Sequence, residues 1–127
     1  MKIYDCFMFS DELMLLELRL KILDKFVNKF IITEAKYLHN GDSKKLNFDI
    51  NKFKDFKNKI EYIVVDKQPP NILSTKISDT SQILNQKKIF NSLLRENYQR
   101  ENLATGLHSA NKDDFIIIGD LDEIPKL

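Results

Sequence analysis

The order of strand and helix patterns is the feature that most constrains how this chain can fold. Short apolar runs, most of them rich in β-branched residues, predict strands at 2–9, 30–35, 60–65 and 115–119. Helical patterns separate these runs, including a short lysine-rich helix at about 50–58. Because strands that alternate with helices form β-α-β units, the sequence predicts an α/β fold with a mainly parallel sheet flanked by helices.

Two longer helices complete this pattern. Ser10 is predicted to cap the first helix, with Asp11 and Glu12 in its first turn, where the helix dipole favours acidic side chains. A wide apolar stripe over residues 13–27 indicates that this helix packs against the sheet. A second amphipathic helix is predicted from 81 to about 107.

Length and composition narrow the possible classes of protein. The 127 residues suffice for one domain with a single core. A formal net charge of +1 gives no basic field of the kind that general nucleic-acid binders carry, so no nucleic-acid partner is expected. Cys6 is the only cysteine and is predicted to be a small buried residue of the first strand. The amino terminus lacks a long apolar run, so we expect a cytoplasmic protein without a transmembrane segment.

Acidic side chains lie at the ends of three of the predicted strands. Glu34, Asp66 and Asp120 each stand at a strand's carboxyl end, which is where ligands bind in open α/β sheets. Neither a GxGxxG dinucleotide fingerprint nor a GxxxxGK[ST] phosphate loop is present, so a phosphate-bearing ligand would require a metal ion.

The last strand leads directly into Asp120-Leu121-Asp122, followed by Glu123. Carboxylates packed this closely repel one another unless a positive charge lies between them. Two carboxylates two positions apart point to the same side of an extended chain and can reach one cation. Mg²⁺ and Mn²⁺ prefer oxygen ligands and usually combine one or two carboxylates with substrate phosphates. The sequence therefore predicts a divalent metal held by Asp120 and Asp122.

Four segments in order carry a resemblance to a known family. They are IYDCFMFSDELMLLELRL at the start, EAKYLHNG after the second strand, RENYQREN on the long helix and DDFIIIGDLDEIP at the end. Together they resemble glycosyltransferase family 17, which includes β-1,4-mannosyl-glycoprotein β-1,4-N-acetylglucosaminyltransferases. The resemblance extends over nearly all of the chain.

The resemblance implies a GT-A fold, a Rossmann-like nucleotide-sugar domain whose DxD motif holds a divalent metal against the donor diphosphate. Residues 1–127 would form its amino-terminal, nucleotide-sugar-binding part. Asp120 and Asp122 take the positions of the DxD motif, with Mn²⁺ or Mg²⁺ as cofactor. Glu34 takes the place where such enzymes often put an acid that contacts the nucleoside.

Arginine and histidine positions also match the family. Arg95 and Arg100 lie five residues apart, about 140° around a helix, so only one is expected to reach the donor, and Arg100 is nearer the predicted site. The position of Arg19 in the first helix favours a structural salt bridge. His39 and Gly41 match a family segment after the second strand, where His39 could contact donor or acceptor or serve as a turn residue.

The activity implied by the resemblance is a metal-dependent, inverting transfer of a sugar from a nucleotide-sugar donor to a glycan acceptor. UDP-N-acetylglucosamine is the first guess for the donor. Family members continue beyond the DxD motif, so the acceptor half is expected to be absent and the general base to lie beyond Leu127. Two alternatives remain: a catalytically inactive chain that binds nucleotide sugar or metal, and a haloacid-dehalogenase-type phosphatase, whose motif also follows an apolar strand.

Overall fold

The computed structural model describes all residues from 1 to 127, which form four strands, two α-helices and two 3₁₀ helices. The strands are β1 (Ile3–Met8), β2 (Lys29–Ala35), β3 (Ile60–Val65) and β4 (Phe115–Ile118). The α-helices are α1 (Leu13–Leu23) and α2 (Ser81–Glu101). The 3₁₀ helices are Ile50–Phe56 and Asn102–Leu107.

All four strands pair in parallel in the order β3-β2-β1-β4. The chain builds one side of the sheet from β1 to β3 and then crosses back to place β4 on the other side of β1. The register pairs Ile3 with Phe115 and Cys6 with Ile118, so β1 and β4 end at the same edge. The predicted α/β fold with a parallel sheet flanked by helices is confirmed.

Alternate residues of the central strands pack on opposite faces of the sheet, as the period-2 geometry of a strand requires. On one face, Phe7 and Ile32 pack against Leu16 and Leu20 of α1. On the other face lies a smaller cluster of Tyr4, Cys6, Ile31 and Leu103. The predicted burial of Cys6 is confirmed, and burial, with a smaller contribution from the charge of Asp5, raises the pKa of its thiol to about 12.

The first helix begins later than predicted. Its cap residue is Glu12, no side chain caps it, and its first turn contains no acidic residue, so the predicted cap at Ser10 and the predicted first-turn positions of Asp11 and Glu12 are wrong. The cause is the pairing at the end of β1: the Phe9 N–H still donates to Thr33 O at 2.8 Å, and Asn47 Nδ2 donates to the Ser10 carbonyl at 2.7 Å. These contacts hold Phe9 and Ser10 at the sheet edge, so the helix begins only after Glu12.

The second helix ends earlier than predicted. The α-helical part stops at Glu101, and the chain tightens into the 3₁₀ helix Asn102–Leu107, where Asn102 Nδ2 donates to the Tyr98 carbonyl at 2.7 Å. The tighter turn lets Gly106 approach β2 so closely that an added Cβ would lie 2.6 Å from the side chain of Ile31. None of the helices combines the length and apolar character needed to cross a membrane.

Candidate functional site

The strand order reverses between β1 and β4, because the chain continues from β1 to β2 on one side and reaches β4 on the other. In open α/β sheets, ligands bind in the crevice at the carboxyl ends of the strands that flank such a reversal. Two segments lie there, residues 9–12 after β1 and residues 119–123 after β4. The DxD motif therefore occupies the place that the topology favours for a ligand.

Three carboxylates converge at this place. Asp120, Asp122 and Glu123 are exposed, and each offers an oxygen atom within 4.8 Å of the others. A hydrogen bond with Asp120 and the negative charge of that neighbour raise the pKa of Glu123 above its ordinary value. The shift reflects the close approach of these carboxylates, which the charge of Arg19 only partly offsets. Three carboxylate oxygens this close together suit Mg²⁺ or Mn²⁺ as ligands. The structure thus adds Glu123 to Asp120 and Asp122 as a candidate metal ligand.

Arg19 fixes the backbone of this acidic loop from the buried side. Its side chain is fully buried, and its Nη1 donates to the carbonyl oxygens of Asp120 at 2.8 Å, Leu121 at 3.1 Å and Glu123 at 3.0 Å. One guanidinium group thus binds three main-chain carbonyls within four consecutive residues. The loop is therefore fixed by its backbone, which leaves the three carboxylates free to face outward.

Asp5 holds Arg19 in this position. Nε and Nη2 of Arg19 each lie 2.8 Å from a different oxygen of the Asp5 carboxylate, and both side chains are fully buried. This bidentate geometry is the strong form of an arginine–carboxylate pair. The predicted structural salt bridge of Arg19 is present. Its three bonds to the acidic loop were not predicted.

The two arginines of α2 reach different places. Arg100 Nη2 lies 4.0 Å from Asp120 Oδ1 and 3.1 Å from Glu96 Oε1, so it borders the acidic cluster while half exposed. Arg95 instead donates to the Gln68 side chain at 2.8 Å and to the His39 carbonyl at 2.9 Å. Donor binding by Arg100 stays a prediction, and the geometry places it next to the metal candidate.

Glu34 is buried at the carboxyl end of β2, and the chain itself uses both of its carboxylate oxygens. They accept hydrogen bonds from Lys44 Nζ, the main-chain N–H groups of Asn47 and Phe48, and the hydroxyl of Tyr62. These bonds fix the segment 44–48 over the sheet edge. The predicted contact between Glu34 and a nucleoside stays a prediction. The four hydrogen bonds that the chain already donates to this carboxylate count against it. Asp66, at the end of the outer strand β3, is exposed and lies outside the acidic cluster.

Two adjoining cavities open at the carboxyl ends of the central strands, and one of them reaches the acidic loop. One, of about 300 Å³, is lined by residues that include Ser10, His39, Gln99 and Asp122. The other, of about 260 Å³, shares Ser10, His39 and Gln99 and extends toward Lys44. His39 is exposed at both cavities. The larger cavity connects the DxD loop with the end of β1.

Gly41 supports the segment that carries His39. Its φ of 97° lies in the left-handed region, and an added Cβ would lie 2.8 Å from Arg95 Nη2. Only glycine adopts such a backbone without strain. Arg95 can therefore pack over this turn and hold the His39 carbonyl.

Sequence reasoning missed Gln99, which lines both cavities and is only 6% exposed. The signal was present in the sequence, because Gln99 stands next to Arg100 in the RENYQR segment. A polar residue within an amphipathic helix is ordinarily assigned to the solvated face, and only the tertiary structure shows that this one faces the strand ends.

The sequence of the whole chain matches one family model. The model of glycosyltransferase family 17 matches residues 1–127. No curated protein and no solved structure matches the chain.

Proposed function

The chain belongs to glycosyltransferase family 17, and from this premise we propose that it binds a nucleotide-sugar donor through a divalent cation held by Asp120 and Asp122, for transfer of the sugar to a glycan acceptor. UDP-N-acetylglucosamine is the proposed donor, and Mn²⁺ or Mg²⁺ the proposed cation. Inversion at the anomeric carbon is part of the proposal, because it follows from the family resemblance.

One observation carries the proposal: the acidic loop lies where the strand order reverses, beside a cavity that Asp122 itself lines. A cation bound by Asp120 and Asp122 would therefore lie at the opening of that cavity. Two carboxylates leave most of an octahedral shell open, and donor phosphates can complete it. Glu123, within 4.8 Å of both, can accept a hydrogen bond from a metal-bound water or bind the metal directly.

A cation held by Asp120 and Asp122 would supply Lewis-acid stabilisation of the departing nucleoside diphosphate. The chain's own residues do the remaining work. Arg19 keeps the loop carbonyls in place, so that the carboxylates need little reorganisation when the donor binds. Arg100, 4.0 Å from Asp120, adds a positive charge beside the acidic loop that a diphosphate could contact.

The family match favours this function over the phosphatase alternative. A catalytically inactive chain that binds the donor would share the same metal site, so the binding test below addresses the feature that both interpretations require.

Titration calorimetry of UDP-N-acetylglucosamine and UDP, with Mn²⁺ or with a chelator, tests the proposal. We expect appreciable binding only when the metal is present. Asp122→Asn removes one negative charge while keeping the side-chain shape, and should weaken metal-dependent binding by about tenfold or more, about 1.4 kcal/mol for one charged contact.

Asp113→Asn is the matched control. Asp113 precedes β4 at the opposite end of the strand, is exposed and forms no hydrogen bond or salt bridge through its side chain. Its substitution should leave the affinity for UDP unchanged. Equal UDP affinity with and without metal, or an unchanged affinity in Asp122→Asn, would contradict the proposed site.

A further inference from the structure

Gln99 is a buried polar residue at the junction of the two cavities. It belongs to α2, is 6% exposed, and lines both the cavity of about 300 Å³ that reaches Asp122 and the cavity of about 260 Å³ beside it. Thr33 on β2 fixes the helix here, because its hydroxyl donates to the Gln99 carbonyl at 3.2 Å. The residue therefore has a defined position at the carboxyl ends of the central strands.

The orientation of the Gln99 amide is set by its surroundings. Nε2 donates to the Thr33 carbonyl at 3.1 Å and to the Phe9 carbonyl at 3.5 Å. The opposite orientation would turn the amide oxygen toward the carbonyl oxygens of Thr33 and Phe9, neither of which can donate a hydrogen bond. The amide nitrogen thus faces the carbonyls of Phe9 and Thr33, and Oε1 points away from them.

Oε1 of Gln99 is an open acceptor. It accepts no hydrogen bond from the chain. Only one side-chain oxygen or nitrogen lacks both a hydrogen bond and exposure to solvent, and it is Glu61 Oε2, 3.1 Å from Lys29 Nζ. Since Gln99 Oε1 also lacks a hydrogen bond, it must be accessible to solvent. The amide oxygen of Gln99 is therefore reachable from the cavities that the residue lines.

We propose that Gln99 determines base specificity, by accepting a hydrogen bond through Oε1 from the ring N–H of the nucleotide's base. This inference rests on the proposed function, and it names the chemistry that recognises the donor. Oε1 is a hydrogen-bond acceptor held in place by the two bonds of its own amide nitrogen. It therefore selects for a ligand that presents an N–H group to it. Uracil presents such a group at N3, between two carbonyls, and guanine presents one at N1.

The larger cavity lets one ligand meet both groups. Asp122 and Gln99 line the same cavity, so a nucleotide whose diphosphate lies at the acidic loop can extend its base toward the helix. A site that hydrogen-bonds a ligand N–H rejects analogues that lack it, because the buried acceptor is then left unpaired. Cytosine carries an unprotonated N3 and would place a lone pair against Oε1.

Calorimetry on the wild-type chain with Mn²⁺ tests the proposal without any substitution. The ligands are UDP, GDP and the same nucleotides methylated at the ring nitrogen, N3-methyl-UDP and N1-methyl-GDP. Whichever base binds tighter identifies the source of the N–H, and its methylation should weaken binding by about tenfold, the scale of one hydrogen bond with a buried partner. Equal affinity for the methylated and unmethylated nucleotide would overturn the proposal.

Gln99→Leu provides the protein side of the test. It should lower the affinity for the preferred nucleotide to that of its methylated analogue and leave the analogue's affinity unchanged. Asn91→Leu is the matched control, because Asn91 is also 6% exposed on α2 and its amide binds the backbone of Leu73, away from these two cavities. The control should keep the discrimination between the methylated and unmethylated ligands.

The metal distinguishes failure of this inference from failure of the proposed function. Metal-dependent binding without discrimination at the ring nitrogen would overturn the role of Gln99 alone. Binding that does not depend on metal would remove the proposed function, and with it the premise on which this inference depends.

Discussion

Replacing Arg19 by Met should cost the protein a large part of its stability. The substitution leaves the fully buried Asp5 without a partner and removes three bonds to the carbonyls of the acidic loop. Breaking a buried ion pair from one side costs about 3–5 kcal/mol, and losing the bonds to the partly buried loop carbonyls adds about 1 kcal/mol or more. We therefore expect a loss of ~4–6 kcal/mol in the free energy of unfolding.

Urea denaturation measures this loss. With an m value of about 2 kcal/mol/M, a loss of that size lowers the midpoint by ~2–3 M. Since domains are typically stable by about 5–15 kcal/mol, a loss of this size removes at least about a quarter of the total, and at the low end of that range it leaves Arg19→Met close to unfolded without denaturant. Lys21→Met on the same helix removes only an exposed ion pair with Glu17 and should change stability by less than about 1 kcal/mol.

The combined change Asp5→Leu with Arg19→Met gives the decisive comparison. It removes both buried charges, so the protein should be more stable than with Arg19→Met alone. Its metal-dependent nucleotide binding should remain weak, because the loop carbonyls still lack their donor. A loss below about 1 kcal/mol in Arg19→Met, or a double variant whose loss equals the sum of the single losses, would refute the reasoning.

Two further substitutions test other parts of the structure. Gly41→Ala should lower the free energy of unfolding by ~1–3 kcal/mol in urea denaturation, because its φ is 97° and the added Cβ would meet Arg95 at 2.8 Å; an unchanged midpoint would contradict this. Main-chain N–H groups of Asn111 and Lys2 lower the pKa of Asp114, so the native state binds fewer protons than the unfolded chain and stability should fall as the pH drops below about 4. The slope of stability against pH should be shallower in Asp114→Asn, and an identical slope would count against this contribution.

The sheet and the place of the DxD motif could be predicted from the sequence because both depend on local patterns. The isoleucine-rich run Phe115–Ile118 predicts a strand by itself, and the carboxylates after it must lie at that strand's carboxyl end. Parallel pairing then brings the ends of β1 and β4 to one edge. Placing Asp120 and Asp122 at this edge needed no long-range information.

The support of the site depends on contacts that the sequence pattern does not contain. Arg19 stands in an apolar helical stripe, but its partners are Asp5 on β1 and a loop 101 to 104 residues away. Only the register of β1 against β4 brings these groups together. Gln99 was missed for the same reason, since the carbonyls that orient it belong to the ends of two strands.

The apolar stripe of the first helix was only partly informative. Leu16, Leu20 and Leu23 are buried against the sheet as predicted, whereas Leu18 and Ile22 are 48% and 44% exposed. One helix can turn only part of its circumference toward a sheet. Hydrophobicity alone therefore could not show which leucines form the core.

The location of the bound cation tests the central claim most directly. Mn²⁺ broadens the amide resonances of nearby residues in ¹⁵N-resolved NMR spectra, and Mg²⁺ serves as the diamagnetic reference. In the presence of UDP, substoichiometric Mn²⁺ should broaden the amides of residues 119–123 first, followed by those of Ser10 and Gln99 across the cavity. Without UDP the same Mn²⁺ concentration should have a much weaker effect, since two carboxylates alone bind the ion poorly. Broadening centred on another acidic site such as Asp42 or Asp66, or spread evenly over the surface carboxylates, would contradict the account.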